Sequence, residues 1–124
     1  MKAYWIDSDG DEAKVVDTDA SLKDLYRMCQ CDCIDIAVRS VHGIPFDFVV
    51  DDSGLLVGSP TTVFDTNGYP QLVGSVVILR SNDEGEFVGL SDDDISLLRS
   101  VTSKSLIVHY ATNTVERRTV LVID

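Results

Sequence analysis

Residues 72–80, LVGSVVILR, form the most apolar run of the chain. A short run of Val, Ile and Leu without polar alternation is typical of a strand that is buried on both faces. This run therefore predicts the central strand of a β-sheet. The sequence NDEGE at 82–86 indicates a turn after it, and residues 87–89 are expected to pair briefly with the central strand.

Turn residues and apolar alternation predict further strands on both sides of the central one. They are expected at 2–7, 12–17, 33–39, 46–50, 105–111 and 117–123. An Asp-Gly step at 9–10 indicates a hairpin between the first two of these strands. In the third, alternation predicts that Ile34, Ile36 and Val38 face the core.

Two segments between the predicted strands are less regular. Residues 55–58 are a candidate for a strand that continues the hairpin before them. Residues 59–71 contain two prolines and an Asn-Gly step, so they are expected to form a loop with one helical turn at 62–65.

Two helices are predicted, each preceded by a serine that can cap it. The first begins after Ser21 and ends near 28–31, with one apolar stripe. Its stripe consists of Leu22, Leu25, Tyr26 and Cys29. The second begins after Ser91, and three aspartates occupy its first turn, where the helix dipole favours negative charge.

These elements together predict an α+β fold: a curved antiparallel or mixed sheet with two helices, flanked by N- and C-terminal β-hairpins. The 124 residues, 44% of them hydrophobic, are expected to form a single domain over 1–124. No apolar stretch is long enough to cross a membrane. The first residues carry acids where a signal peptide would be apolar, so a cytoplasmic location is expected.

The chain has a formal net charge of -11, with 21 acidic and 10 basic residues, and its acids are concentrated in two runs. We expect these runs to bind a basic partner and to repel nucleic acid and anionic membranes. The candidate contact residues are Asp7, Asp9, Asp11, Glu12, Asp83, Glu84, Glu86, Asp92, Asp93 and Asp94. The alternative is that the charge serves solubility alone.

Three cysteines, Cys29, Cys31 and Cys33, are spaced by two residues. Zinc sites commonly use wider spacing, so the pattern favours free, partly buried thiols between a helix and a strand. A metal- or redox-responsive site is the alternative, with His42, His109 or a carboxylate as a further ligand. A nucleophilic pair of Cys33 with His42 is a third hypothesis.

No motif of an enzyme class is present. Residues 7–11 imitate the start of a calcium-binding loop, but Glu12 and Thr18 stand where that loop needs glycine and glutamate. The sequence lacks a phosphate-binding loop, a dinucleotide fingerprint and a G-x-S-x-G elbow. We therefore expect a protein that is not an enzyme and needs no cofactor.

Four segments between about 18 and 100 occur in an order and spacing that resemble a known family. They are SLKDLYRMC leading to CIDIAV, then FVVDDSGLLVGSP, VGSVVIL and EGEFVGLSDDDISLL. The chain resembles a family of small domains of unknown function found in phages, plasmids and other bacterial mobile elements. No catalytic residue is implied by this resemblance.

The resemblance and the charge together predict a non-enzymatic binding module. Its partner is expected to be a basic host protein that handles nucleic acid, such as a defence nuclease, which it inhibits by charge mimicry. The oligomeric state stays open, and a homodimer through an exposed edge of the C-terminal hairpin is an alternative role.

Overall fold

The computed structural model describes residues 1–54, 58–109 and 111–124, and within them the chain forms ten strands and two helices. The elements are β1 (Lys2–Asp7), β2 (Glu12–Asp17), α1 (Leu22–Cys29), β3 (Ile34–Val41), β4 (Ile44–Asp51), β5 (Thr61–Asp65), β6 (Pro70–Val73), β7 (Val76–Ser81), β8 (Phe87–Val88), α2 (Asp92–Ser100), β9 (Thr102–His109) and β10 (Thr114–Ile123). The strand predicted at 55–58 falls mostly on 55–57, outside the described residues. The α+β class is confirmed.

The first sheet has the order β2-β1-β7-β4-β3, and β8 pairs with the outer part of β7. All these pairings are antiparallel. The four residues from Val76 to Leu79 are fully buried, at 0% exposure. The prediction of a buried central strand is confirmed, because a strand covered on both faces excludes polar side chains.

The apolar run at 72–80 is divided between two sheets. Its first two residues belong to β6, and Gly74 with a φ of 76° turns the chain toward β7. A positive φ is readily adopted by glycine and rarely by residues with a side chain. One continuous strand over the whole run is therefore a wrong prediction.

The second sheet has the order β6-β5-β10-β9, with β5 parallel to β10 and the other pairs antiparallel. The predicted loop at 59–71 contains β5 and the first two residues of β6, and the helical turn predicted at 62–65 is wrong. The sequence TTVF at the start of β5 is β-branched and aromatic, which is the composition that favours a strand.

Two hydrophobic cores lie on the two faces of the first sheet. On one face, residues of both sheets pack with α2, including Phe48, Leu98 and Leu121 at 0% exposure. On the other face, Leu25 and Met28 of α1 pack against strands β4 and β7. Burial on both faces explains why the strands between the cores have few polar residues.

The N-terminal hairpin is part of the first sheet. Strand β1 lies between β2 and β7, and its residues Ala3, Tyr4 and Ile6 are buried. The prediction that this hairpin flanks the domain therefore differs from the structure. A strand with partners on both edges and cores on both faces is integral to the fold.

The exposure of β3 is opposite to the prediction. Ile36 is 46% exposed and Val38 is 60% exposed, whereas Val41 is fully buried. Ala37, on the face opposite to Ile36, packs against the core between the sheets. Alternation gave the correct period but the wrong face, because β3 is an edge strand and α1 covers the first sheet only as far as Ile34.

Both predicted helix caps are confirmed. The Oγ of Ser21 accepts a hydrogen bond from the Asp24 backbone N–H at 3.3 Å, and the Oγ of Ser91 accepts one from the Asp94 N–H at 3.1 Å. The first helix ends at Cys29, and Gln30 adopts a left-handed conformation after it. Among the described residues, neither helix has the length and apolar character that a membrane crossing requires.

Candidate functional site

The structure divides the first acidic run, the seven acids between residues 7 and 24, between the two ends of β1. One group, at the turn between β1 and β2, consists of Asp7, Asp9, Asp11 and Glu12. The other follows β2 and consists of Asp17, Asp19 and Asp24. Lys2 lies opposite Asp17 in the register, and Asp7 lies opposite Glu12. Five strand steps of about 3.3 Å separate these ends by roughly 17 Å.

The second acidic run lies at the Lys2 end of β1. Strand β7 is antiparallel to β1, so the turn after β7 reaches this end of the sheet. That turn carries Asp83, Glu84 and Glu86. The start of α2 is held nearby because the Leu90 backbone N–H donates to the Lys2 carbonyl at 2.9 Å.

The N-terminus connects the acidic segments at this end. The Met1 ammonium donates to the carbonyl of Thr18 at 2.9 Å, and Lys2 Nζ lies 3.7 Å from an oxygen of Asp92. Residues 17–19 and 89–92 therefore flank the first two residues of the chain. We call the exposed carboxylates gathered here the acidic end. It consists of Asp17, Asp19, Asp83, Glu84, Glu86, Asp92 and Asp93.

The acidic end keeps most of its negative charge. Arg27 is engaged by Asp24 at 2.7 Å, and Arg80 is engaged by Asp94 at 3.0 Å. The Asp92 side chain is 95% exposed, so its pairing with Lys2 is a weak surface contact. Within the described part of the chain, no ion pair within 4 Å involves Asp83, Glu84 or Asp93, nor Asp17.

A shallow groove adjoins the acidic end. Its volume is about 700 Å³, and it runs between Met1, the end of β2 and the first turns of α1. Its lining includes the acids Asp17, Asp19 and Asp24 and the cations Lys23 and Arg27. The groove is therefore mixed in charge, whereas the turn at 82–86 and the start of α2 are acidic.

Asp94 has a structural role within its run. Its residue is only 8% exposed, and one carboxylate oxygen accepts a hydrogen bond from the Ser91 N–H at 3.0 Å. The other oxygen accepts one from Arg80 at 3.0 Å. The carboxylate thus completes a capping box and a partly buried ion pair. Its oxygens are already bonded, while those of Asp92 and Asp93 face solvent.

At the opposite end of the sheet, Asp11 attaches the first turn to the last hairpin. Its carboxylate accepts hydrogen bonds from Lys104 Nζ and from the Thr119 N–H, both at 2.6 Å. These two donors, Lys104 first, hold the pKa of Asp11 below its usual value. Asp11 is therefore a contact between elements of the fold.

The other carboxylates of this turn bond to different partners. Asp9 accepts a hydrogen bond from the Gln30 amide at 2.7 Å, and Glu12 pairs with Lys14 at 2.9 Å. Asp7 accepts one from the backbone N–H of Asp9 at 3.2 Å. In residues 1–54, 58–109 and 111–124, no three His, Cys, Asp or Glu side chains are arranged to hold a metal ion.

The three cysteines do not share a site. Cys29 is 4% exposed and donates to the Val49 carbonyl at 3.4 Å, and burial raises the pKa of its thiol to about 12. Cys31 packs partly against the core under α1, and Cys33 is exposed. A hydrogen bond to Asp52 and the charge of that carboxylate raise the pKa of Cys33. Helix α1 ends at Cys29, Gln30 adopts a left-handed conformation and residues 31–33 bend, so the three thiols do not lie on one face of an extended segment.

The proposed Cys33–His42 pair is wrong. Cys33 precedes β3 and His42 follows it, at opposite ends of an eight-residue strand. At about 3.3 Å per residue the two lie roughly 30 Å apart. A nucleophile and its base must be within hydrogen-bonding distance.

The fold and this geometry define a small α+β domain with exposed carboxylates concentrated at one end of its main sheet. The chain belongs to the DUF3846 family, a family of domains of unknown function whose model matches residues 1–103. The match begins at Met1, so the N-terminal hairpin is part of the family domain, and it ends two residues into β9. No curated protein and no solved structure matches the chain.

Proposed function

We propose that this domain is a non-enzymatic binding protein that uses its acidic end to occupy a basic surface on a partner protein. The partner is a host protein that handles nucleic acid, for example a defence nuclease. The domain acts in the cytoplasm and derives from a phage or another mobile element. It binds neither nucleic acid nor membrane, since both carry the same sign of charge.

The observation that supports this proposal is the convergence of acidic segments that are distant in sequence. Residues 17–19 and 89–92 flank Met1 and Lys2, through the hydrogen bonds to Thr18 and from Leu90, and the turn at 82–86 follows β7 at the same end of the sheet. Solubility requires only scattered charge. A concentrated group of carboxylates that outnumber the neighbouring cations creates a local negative potential that attracts a basic surface.

Charge mimicry follows from the function of the expected partner. A protein that binds duplex DNA has a basic groove suited to one phosphate charge about every 1.7 Å along the helix axis. Exposed carboxylates on a turn and on the adjacent first turn of a helix offer the same sign of charge on a rigid support. Occupation of the groove would exclude the nucleic acid, so inhibition is stoichiometric and needs no chemistry.

The experiment is an affinity capture from host lysate at low salt, followed by a salt step and identification of the eluted proteins. The binding-deficient variant is Asp83→Lys/Glu84→Lys/Asp93→Lys. The matched control is Asp32→Lys/Asp35→Lys/Asp52→Lys, which has the same net charge and changes exposed acids near the other end of the sheet. We expect one basic nucleic-acid-binding protein to elute from the native domain and from the control, and not from the first variant.

Equal loss of capture in both variants would show that net charge alone attracts the protein, without a defined surface. An unchanged capture in the first variant would contradict the proposal. For the identified partner, the affinity should fall steeply with salt, as expected for an interface made of exposed charges.

A further inference from the structure

The C-terminal hairpin extends past the rest of the domain. Near its base, Thr119 and Lys104 contact Asp11, and Arg118 donates to the Ser8 carbonyl at 2.8 Å. These contacts place the base over the turn between β1 and β2. Beyond them, strands β9 and β10 continue as a pair to His109 and Thr114.

One face of the hairpin is buried at Leu121. Past the contact with Asp11, toward the tip of the hairpin, the same face is exposed. Val108 lies opposite Val115 in the register, and Leu106 lies opposite Arg117, on the same face as Leu121. Leu106 is 64% exposed, Val108 is 50% exposed and Val115 is 61% exposed. Contiguous exposed apolar side chains of this kind are typical of an interaction surface.

Strand β9 also forms an edge of the second sheet, since among the described residues it pairs with β10 alone in the strand order β6-β5-β10-β9. An edge strand presents backbone N–H and C=O groups that can pair with another strand. Natural proteins protect such edges with charges and prolines. From Thr102 to His109 there is one charged residue, Lys104, and no proline.

We infer that β9 pairs antiparallel with β9 of a second copy of this chain, across a two-fold axis near Leu106. The two four-stranded sheets then form one continuous sheet of eight strands. A two-fold interface brings the same patch of each copy together. In this register Leu106 faces its own counterpart, and Lys104 lies opposite Val108 of the other copy, so no two cations are paired.

The charge distribution favours a second copy at this edge. The residues from Thr102 to Ile123 carry three cations and one acid, in a chain whose net charge is -11. Two copies repel each other over most of their surfaces, and this hairpin is where that repulsion is weakest. Strand β3 is another edge strand with exposed apolar residues, but repulsion between acidic residues opposes its pairing with a second copy. Residues 32–52 carry five acids and one arginine.

This inference is independent of the proposed function. The acidic end lies at the Lys2 end of β1, whereas the hairpin extends past the Asp7 end. A dimer through β9 therefore leaves both acidic ends accessible, and it presents two of them to a partner.

The test is sedimentation velocity of the intact protein over a range of concentrations at about physiological salt. The native chain is expected to form a dimer, and Val108→Lys is expected to weaken it about tenfold or more. The matched control is Val38→Lys, at another exposed valine, on the edge strand β3. That control is expected to leave the dimer unchanged. Thermal unfolding of each variant shows that it is folded.

Hydrogen exchange of the native protein provides a second measurement that needs no variant. Backbone amides along the free edge of β9 are expected to become protected as the concentration rises, while those of β3 do not. A native chain that stays monomeric would overturn the inference. So would a dimer broken by Val38→Lys and not by Val108→Lys, or an open-ended assembly that continues to grow with concentration.

Discussion

The carboxylate of Asp11 accepts a 2.6 Å hydrogen bond from the backbone N–H of Thr119, 108 positions further along the chain. The carbonyl of Asp11 accepts a second bond from the Thr119 hydroxyl at 2.9 Å. The turn of the first hairpin thereby holds the last strand in place. An acid that the sequence suggested for partner binding is thus a link between the two sheets.

We expect Asp11→Asn to destabilise the fold by about 1 kcal/mol, since it removes the charged half of the pairing with Lys104. Asparagine tolerates the positive φ of 52° at this position, so the substitution changes charge with little backbone strain. Urea unfolding measures the effect. Asp93→Asn, at an exposed acid, serves as the control, and equal stability of both variants would contradict the role of Asp11.

The contribution of Asp11 should also depend on pH in a defined direction. Its pKa in the folded state lies below the ordinary value of 3.8, chiefly because of Lys104. The folded state therefore favours the ionised form, and the stabilisation is complete above the unfolded pKa and is lost as the pH falls through the folded pKa. The stability difference between native protein and Asp11→Asn should shrink as the pH falls below about 5, through the ordinary pKa of 3.8 and on to the lower folded-state pKa. A difference independent of pH would exclude the ion pair as its source.

The aspartates at the start of α2 should separate into two classes. Asp94→Ala removes a capping box and the partner of Arg80, and we expect it to cost about 2–3 kcal/mol. Asp93→Ala, at an exposed position on the same turn, should cost about 0.5 kcal/mol or less. Chemical denaturation of both variants compares them directly. A larger loss of stability in Asp93→Ala than in Asp94→Ala would contradict the structural role assigned to Asp94.

The thiols should differ in reactivity. Cys29 has a pKa of about 12 because it is buried, so it should not react with an alkylating reagent while the protein is folded. Cys33 is exposed, but Asp52 raises its pKa. Asp52→Asn should lower that pKa and accelerate alkylation of Cys33 near neutral pH, as mass spectrometry of the labelled protein can show. An unchanged rate would contradict the contact with Asp52.

Gly89 should be required for the junction at the acidic end. A Cβ at this position would lie 2.9 Å from the Cβ of Met1 and 3.0 Å from the backbone N of Lys2. The backbone atom cannot be displaced without disturbing β1, so we expect Gly89→Ala to destabilise by about 1–3 kcal/mol. The midpoint of thermal unfolding measures this. A midpoint equal to that of the native protein would show that the N-terminus adjusts freely.

Local patterns predicted local structure well. The serine caps of α1 and α2 and the Asp-Gly hairpin were identified because each depends on residues within four positions of one another. The apolar sequence at 76–79 predicted a central strand, since only burial on both faces tolerates such a run. The short strands β5 and β6 were missed because prolines and an Asn-Gly step outweighed their β-branched residues.

The sequence by itself determined the α+β class, the places where both helices begin, the buried central strand and the excess of negative charge. Each of these follows from composition or from neighbours in the chain. Only the tertiary structure decided which face of β3 is buried, how the acids are divided between two ends of β1, and that Cys33 lies far from His42. Those outcomes depend on pairing between distant strands, where one residue of register or one change of strand order moves a side chain to another surface.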